Sequence, residues 1–179
     1  MNTLAIVEHY TVADYRQWKG DWELIYGVPL AMAPSPNVQH QTVSMAIARQ
    51  LDEALDACRH CRALFEIDVE LADDTVVRPD VLVICYEPVG DRLTRPPSLV
   101  FEVVSPKTER RDEVAKFALY QAAGVISYVL VYPRTKSARV FQLESGEYRK
   151  VGDFTENHHR FEFSDCVVDF DFSRLWRRT

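Results

Sequence analysis

The sequence predicts an α/β chain (an α+β mixed sheet), with helices flanking a central mixed sheet. Three observations support this. The run "PDVLVIC" is continuously apolar after its opening Pro-Asp, and "SLVFEVVS" is apolar but for one acid, as strands buried on both faces tend to be. In "SPNVQHQTVSMAIARQLDEALDA" the apolar residues Val43, Ile47, Leu51, Ala54 and Leu55 recur at helical spacing. A second helical stretch, "ERRDEVAKFALYQAAG", separates "SLVFEVVS" from a further set of strand-like runs.

In chain order, "TVADYRQWKG" reads as a short helix or turn, and "WELIYGVPLAMAP" as two short strands around Gly27. Asn37 or Ser35 can cap the first long helix. Phe65, Ile67, Val69 and Leu71 alternate with Glu66, Asp68 and Glu70, the period of one strand with a solvated acidic face. "ADDT" is a turn, and "RPP" breaks the chain before "SLVFEVVS". Thr108 or Ser105 can cap the next helix, and Gly124 ends it. "SYVLVYP", "ARVFQL" and "EYRKV" are three strands with hairpin-like connections, and the tail "FEFSDCVVDFDFSRLWRRT" has no clear period.

With 179 residues the chain suits one domain, taken as 1–179, and no repeat or linker-like stretch divides it. A composition of 47% hydrophobic and 27% charged residues excludes large-scale disorder. The net charge of −6 argues against nonspecific coating of nucleic acid but leaves room for a local basic patch. "MNTLAIVEHYTVADY" lacks the basic start and apolar run of a secretory signal, and no apolar run is long enough to span a membrane. The expectation is a soluble, reduced, cytoplasmic protein with no membrane partner. Of the four cysteines, Cys85 reads as a core residue. "CRHC", Cys58 to Cys61, has the spacing of half a zinc site but no second such pair, and reads as a helix end with two incidental cysteines. No glycine-rich phosphate loop and no G-x-S-x-G elbow occurs.

The chemical interest lies in Glu102, an acid among the valines of a buried strand. An unpaired charge there is costly. Asp80 follows Pro79 and opens the preceding apolar run, so the two acids fall at or near adjacent strand positions and can share a divalent cation. Lys116 lies eight residues into the helix from Thr108, about 12 Å. Glu102 lies four residues before Pro106, about 13 Å. A helix folding back over the strand would bring Lys116 level with Glu102. Lysine next to a metal-activated water can orient it or stabilise its hydroxide.

Taken together and in order, "WELIYG", "SPNVQHQ", "VVRPDVLV", "LVFEVVSPKTERRDEVAKFALYQAAGVISYVLVYP" and "VFQL…GEY" resemble the Uma-two family of endonucleases, grouped with the PD-(D/E)XK nucleases. The resemblance runs over roughly residues 14 to 150. It implies a restriction-endonuclease-like core and Mg²⁺- or Mn²⁺-dependent hydrolysis of phosphodiester bonds in DNA. It makes Asp80 and Glu102 metal ligands, adds the backbone carbonyl of Val103, and assigns Lys116 to the attacking hydroxide. Glu23 matches an early acid that holds an outer metal ligand, and His40 a histidine facing the site. The lysine usual two positions after the second acid is absent, because Val104 stands there. Tyr26 and Tyr132 also stand where the family often has an acid, which bears on substrate handling or a second metal. Lys107, Arg110 and Arg111 would contact DNA phosphates. A homodimer is expected by analogy with nucleases that cut two strands.

Simpler roles compete. Glu102 can form a structural ion pair with Arg78, Arg95 or Lys116. Lys116 can bridge to Asp112 four residues earlier. Asp80 can be a solvated strand-edge acid, Glu23 a hairpin acid and His40 a surface residue. The basic "RLWRR" reads as a solvated tail. The rival to an endonuclease is a catalytically silent protein of the same fold, acting as a DNA-binding or assembly module.

Overall fold

The structure is a computed structural model, and it describes residues 8–32, 36–163 and 165–179. Helix α1 (Val12–Tyr15) leads into the hairpin β1 (Trp22–Ile25) and β2 (Val28–Ala31). Helix α2 (Val38–Leu55) follows, then β3 (Arg62–Phe65), β4 (Val69–Ala72), β5 (Thr75–Val77), β6 (Val81–Ile84) and β7 (Leu99–Val103). A π-helical segment, Arg111–Lys116, runs into α3 (Phe117–Ala123). The chain closes with β8 (Ser127–Tyr132), β9 (Ser137–Glu144), β10 (Glu147–Phe154), β11 (His158–Phe163), β12 (Cys166–Asp171) and a 3₁₀ turn, Phe172–Trp176.

The central sheet has six strands in the order β10-β9-β8-β7-β6-β3. Its pairs are antiparallel except β7–β8, where Glu102 sits opposite Leu130. A parallel pair needs a crossover, and the π segment with α3 supplies it. β6 and β7 are buried along their whole length, as their unbroken apolar runs imply. A four-stranded sheet, β2-β1-β5-β4, and the hairpin β11–β12 complete the architecture.

The central sheet has an apolar cluster on each face. On one, Val43, Ile47, Leu51 and Leu55 of α2 pack with Val81, Val83, Phe101 and Val103, and with Phe161, Phe170 and Phe172 from the chain's end. On the other, Leu119 and Tyr120 of α3 pack with Leu82, Val100, Leu130 and Ile25. Asn37 caps α2, its side chain accepting from the His40 N–H at 2.9 Å, and the alternative Ser35 lies outside the described residues. No helix among the described residues is long and apolar enough to cross a membrane.

Four expectations need correction. The alternating run from Phe65 to Leu71 is two strands in two sheets, because Glu66 takes a left-handed backbone (φ 49°) that breaks the pleat between β3 and β4. Its acidic face is only partly solvated. Asp68 accepts from Tyr15, Arg78 and Arg92, and Glu70 is gripped by Arg16 through two bonds of 3.0 and 2.6 Å. The tail is no solvated appendage, since Phe172 and Leu175 are buried and Arg174 bonds Glu53 at 2.9 Å. The cysteines at the end of α2 are not incidental and not free: Cys58 pairs with Cys166 and Cys61 with Cys85.

Gly124 ends α3 with φ 82°, and nothing lies within 4 Å of the position a Cβ would take. Replacing it with alanine therefore tests backbone conformation alone. Gly124→Ala is expected to lower the unfolding free energy in urea by about 1–2 kcal/mol. An unchanged midpoint would show that this turn relaxes without loss.

Candidate active site

Strand register brings the acids together. Val81 sits opposite Phe101, so one further step along the antiparallel pair puts Asp80 opposite Glu102. Asp80 Oδ2 accepts from the Val103 N–H at 2.6 Å and lies 3.3 Å from His40 Nε2. His40 reaches it from the first turn of α2. Neither Asp80 nor His40 is a freely solvated surface group, their side chains being 19% and 16% exposed.

Glu102 is 3% exposed, and both of its hydrogen bonds fall on Oε1, from Lys116 Nζ at 2.9 Å and Tyr120 Oη at 2.8 Å. The helix thus folds back over the strand as the level match anticipates. Of the three cations proposed as partners, Lys116 is the one that pairs. Arg78 is held by Asp21 and Asp68, while Arg95 lies over the Tyr86 ring.

Lys116 does not bridge to Asp112, as α-helical spacing suggests. Its Nζ sits between Glu102 and Glu23 Oε1, the latter 2.8 Å away. Arg111 Nη1 reaches the other oxygen of Glu23 at 3.2 Å. Both cations come from the π-helical segment, whose wider turn changes which of its residues share a face from the α-helical expectation. Glu23, in the middle of β1, is fully buried and also accepts the Arg78 N–H at 3.0 Å. It is no hairpin acid in solvent.

These contacts set the charges. Burial opposes ionisation of Glu23, but Lys116, Arg111 and the Arg78 N–H outweigh it and hold its carboxyl below the usual range. Burial also opposes the charge on Lys116, yet Glu102, Glu23 and Asp112 keep the amine protonated beyond its ordinary value. Burial pushes Glu102 well above the carboxylate range; Lys116 opposes this, while Asp80, Asp112 and Glu23 add to it. The two carboxyls that share Lys116 are thus shifted in opposite directions. Burial likewise raises Asp112, against the pull of Lys116 and Thr108. For His40, burial favours the neutral ring, but the hydrogen bond and charge of Asp80 prevail and raise it.

A cavity of about 560 Å³ opens over this group, with Asp80, Glu102, Asp112, His40, Lys116 and Arg111 in its wall. Lys107 is in the same wall, and Arg110 is exposed beside it. Arg111 turns inward to Glu23 instead of outward. Tyr26 sits exposed in the β1–β2 turn with φ 50°, and Tyr132 Oη bonds Glu113 at 2.5 Å; neither lines the cavity.

Two residues of this site were not picked out by sequence reasoning. Tyr120 follows Lys116 by one helical turn, a spacing that could have flagged it. Asp112 read as a salt-bridge partner. It is 2% exposed, and its Oδ1 has no hydrogen-bond partner.

The donor set suits a hard divalent cation. Asp80, Glu102 and Asp112 offer three carboxyls to the cavity, while Lys116 and Arg111 pair with the buried Glu23 behind it. The carboxylates do not form a set of three donor atoms all within 4.8 Å of one another among the described residues. Asp80 and Glu102 would supply side-chain oxygens, with water and backbone oxygen completing the shell, as Mg²⁺ prefers.

This is a nuclease-like fold. The Uma2 family, described as "Putative restriction endonuclease", matches residues 12–170, and the chain belongs to it. Among solved structures, a "putative nuclease belonging to DUF820" from Anabaena variabilis ATCC 29413 superposes with a TM-score of 0.77 at 15% identity. The match covers 93% of this chain and 97% of that one, and shows the same fold. A DrdV–DNA complex overlaps 64% of this chain and 12% of that one, with a TM-score of 0.32 and 13% identity. No curated protein matches the sequence.

The raised carboxyl of Glu102 gives a pH signature. A group whose pKa is higher folded than unfolded loses its stabilising contribution as pH rises from the unfolded value, about 4.3 for glutamate, through the folded one. Glu102→Gln mimics the protonated acid and has no such loss. In metal-free protein the melting temperature of the variant should gain on wild type as pH rises above the unfolded glutamate value. Parallel curves would place an ionised Glu102 in the metal-free site.

Proposed function

We propose that this protein is a metal-dependent DNA endonuclease that hydrolyses phosphodiester bonds. The observation behind this reading is the convergence of Asp80 and Glu102, opposite each other on adjacent strands, in one cavity wall with Asp112, and a buried lysine between Glu102 and Glu23. Asp80 and Glu102, with the Val103 carbonyl, would hold Mg²⁺ or Mn²⁺. When bound there, such an ion polarises the scissile phosphate and lowers the pKa of a water.

The chain's own residues do the rest. Val103 N–H fixes Asp80 by Oδ2, and Tyr120 fixes Glu102 by Oε1. Glu23 keeps Lys116 charged and aimed at the cavity wall, so its Nζ can stabilise an attacking hydroxide or the charge that develops on the phosphoryl oxygens. His40 orients Asp80 and faces the substrate. Glu23 supports an outer ligand and the lysine. Lys107 and Arg110 contact the DNA backbone, with Arg111 joining when its pairing with Glu23 loosens. We take the whole of 1–179 as one nuclease domain, working in the cytoplasm where its DNA substrate lies. Two copies would cut two strands.

Asp80→Ala and Glu102→Ala should each reduce Mg²⁺- or Mn²⁺-dependent cleavage of plasmid and branched DNA at least about 10³-fold while leaving the circular dichroism spectrum unchanged. Full activity in both variants would refute the site. Absence of cleavage by wild type, with no metal binding by calorimetry, would instead support the silent DNA-binding or assembly module.

Lys116 needs a paired change, because removing it alone strands two buried carboxyls at a cost of about 3–5 kcal/mol. Lys116→Met combined with Glu23→Gln should lower kcat about 10²-fold with metal affinity nearly unchanged. Unchanged turnover would reduce the lysine to an ion-pair partner.

A further inference from the structure

Away from the nuclease cavity, the four cysteines meet at one point. Cys58 and Cys61 flank a turn after α2, closed by the Cys61 N–H to the Cys58 carbonyl at 2.9 Å. Cys85 follows β6, and Cys166 opens β12, 108 residues beyond Cys58. The two cysteines of the C-x-x-C turn do not pair with each other. Each faces a cysteine from a different element, Cys166 and Cys85 respectively. His60, inside the same turn, joins them. A ring nitrogen of His60 and the Sγ atoms of Cys61 and Cys166 all lie within 4.8 Å of one another.

We propose that in the reduced protein this cluster binds one Zn²⁺, with His60 Nε2, Cys61 Sγ and Cys166 Sγ as three ligands and Cys58 or Cys85 as the fourth. Zinc–sulfur bonds of about 2.3 Å and zinc–nitrogen bonds of about 2.0 Å make a tetrahedron whose sulfur–nitrogen edge is about 3.5 Å. The Cys166 Sγ to His60 Nε2 distance is 3.6 Å. Three donors of this softness within one ligand sphere select zinc over the hard cations of the nuclease site. Asp165 Oδ1 also lies 2.8 Å from His60 Nε2, but its side chain is 78% exposed and can swing into solvent.

The disulfide and zinc states exclude each other, because zinc takes thiolates. A dithiol reductant connects them: two equivalents reduce Cys58–Cys166 and Cys61–Cys85, emerge as two disulfides of their own, and leave four thiols. Binding zinc then releases the protons of the ligating thiols. Cys61 and Cys166 are buried in the core cluster that includes α2 and β12, so the ion would tie the C-terminal hairpin to the end of α2, and to β6 as well when Cys85 is the fourth ligand. That is the same staple the disulfides supply in oxidised protein.

The test uses the full chain, reduced with a dithiol, loaded with zinc and freed of excess ion. One zinc per chain is expected by elemental analysis, and Co²⁺ in its place should show sulfur-to-cobalt charge-transfer absorption. The ion should be lost from Cys166→Ser and retained by Asp80→Ala, which separates it from any ion at the nuclease site. Should Cys166→Ser fail to fold, His60→Ala, at an exposed side chain, should weaken zinc at least tenfold. Four titratable thiols with no retained zinc, affinity unchanged in His60→Ala, zinc lost with Asp80 but not with Cys166, or sulfurs that stay bonded under reduction would each overturn the proposal.

Discussion

The arrangement of Glu23, Lys116 and Glu102 governs the molecule. Three ionisable groups from β1, the π segment and β7 meet where almost no water reaches, with the amine 2.8 and 2.9 Å from the two carboxyls. None could be buried alone at acceptable cost. The contact therefore requires that the small sheet carrying β1 dock against the crossover helix, and that the helix lie back along β7. Packing on that face follows: Ile25 from the hairpin, Leu119 and Tyr120 from the helix, and Val100 and Leu130 from the sheet share one apolar cluster.

Asp80 and Asp112 also border the cavity, and Arg111 turns inward to Glu23. A fold selected for stability alone would trade these acids for apolar groups of similar size. Acids held at close range, with burial raising Glu102, are what the proposed metal ion would offset. The sheet holds it rigid. Asp80 and Glu102 stand on the two strands buried along their whole length, and the Val103 N–H locks Asp80 across them.

Stability is handled elsewhere. The second face of the sheet, under α2 and the C-terminal hairpin, is a conventional apolar core of valines and phenylalanines, and the cysteine cluster closes its edge. In the two proposed metal sites, hard oxygen donors and soft thiol donors would lie apart and not compete for one ion.

Local pattern sufficed for much of this. The unbroken apolar runs marked β6 and β7 as central strands, the spacing of Val43, Ile47, Leu51 and Leu55 marked α2, and an acid set in valines marked Glu102 as chemically special. The ordered motifs extended that to Asp80, Lys116, Glu23 and His40. Only tertiary structure decided the rest. The alternation from Phe65 to Leu71 concealed a break, because a single left-handed residue leaves no trace in hydrophobic period. Asp112 and the inward turn of Arg111 were hidden because a π-helical turn changes which residues share a face, while reading by 3.6-residue period assumes an α-helix. The cysteines looked incidental because two partners lie 24 and 108 residues away in sequence, and pairing at such separation depends on how strands and hairpins dock. Periodicity records the local preference of the chain for one environment; which distant groups share that environment is set by the packing of the whole.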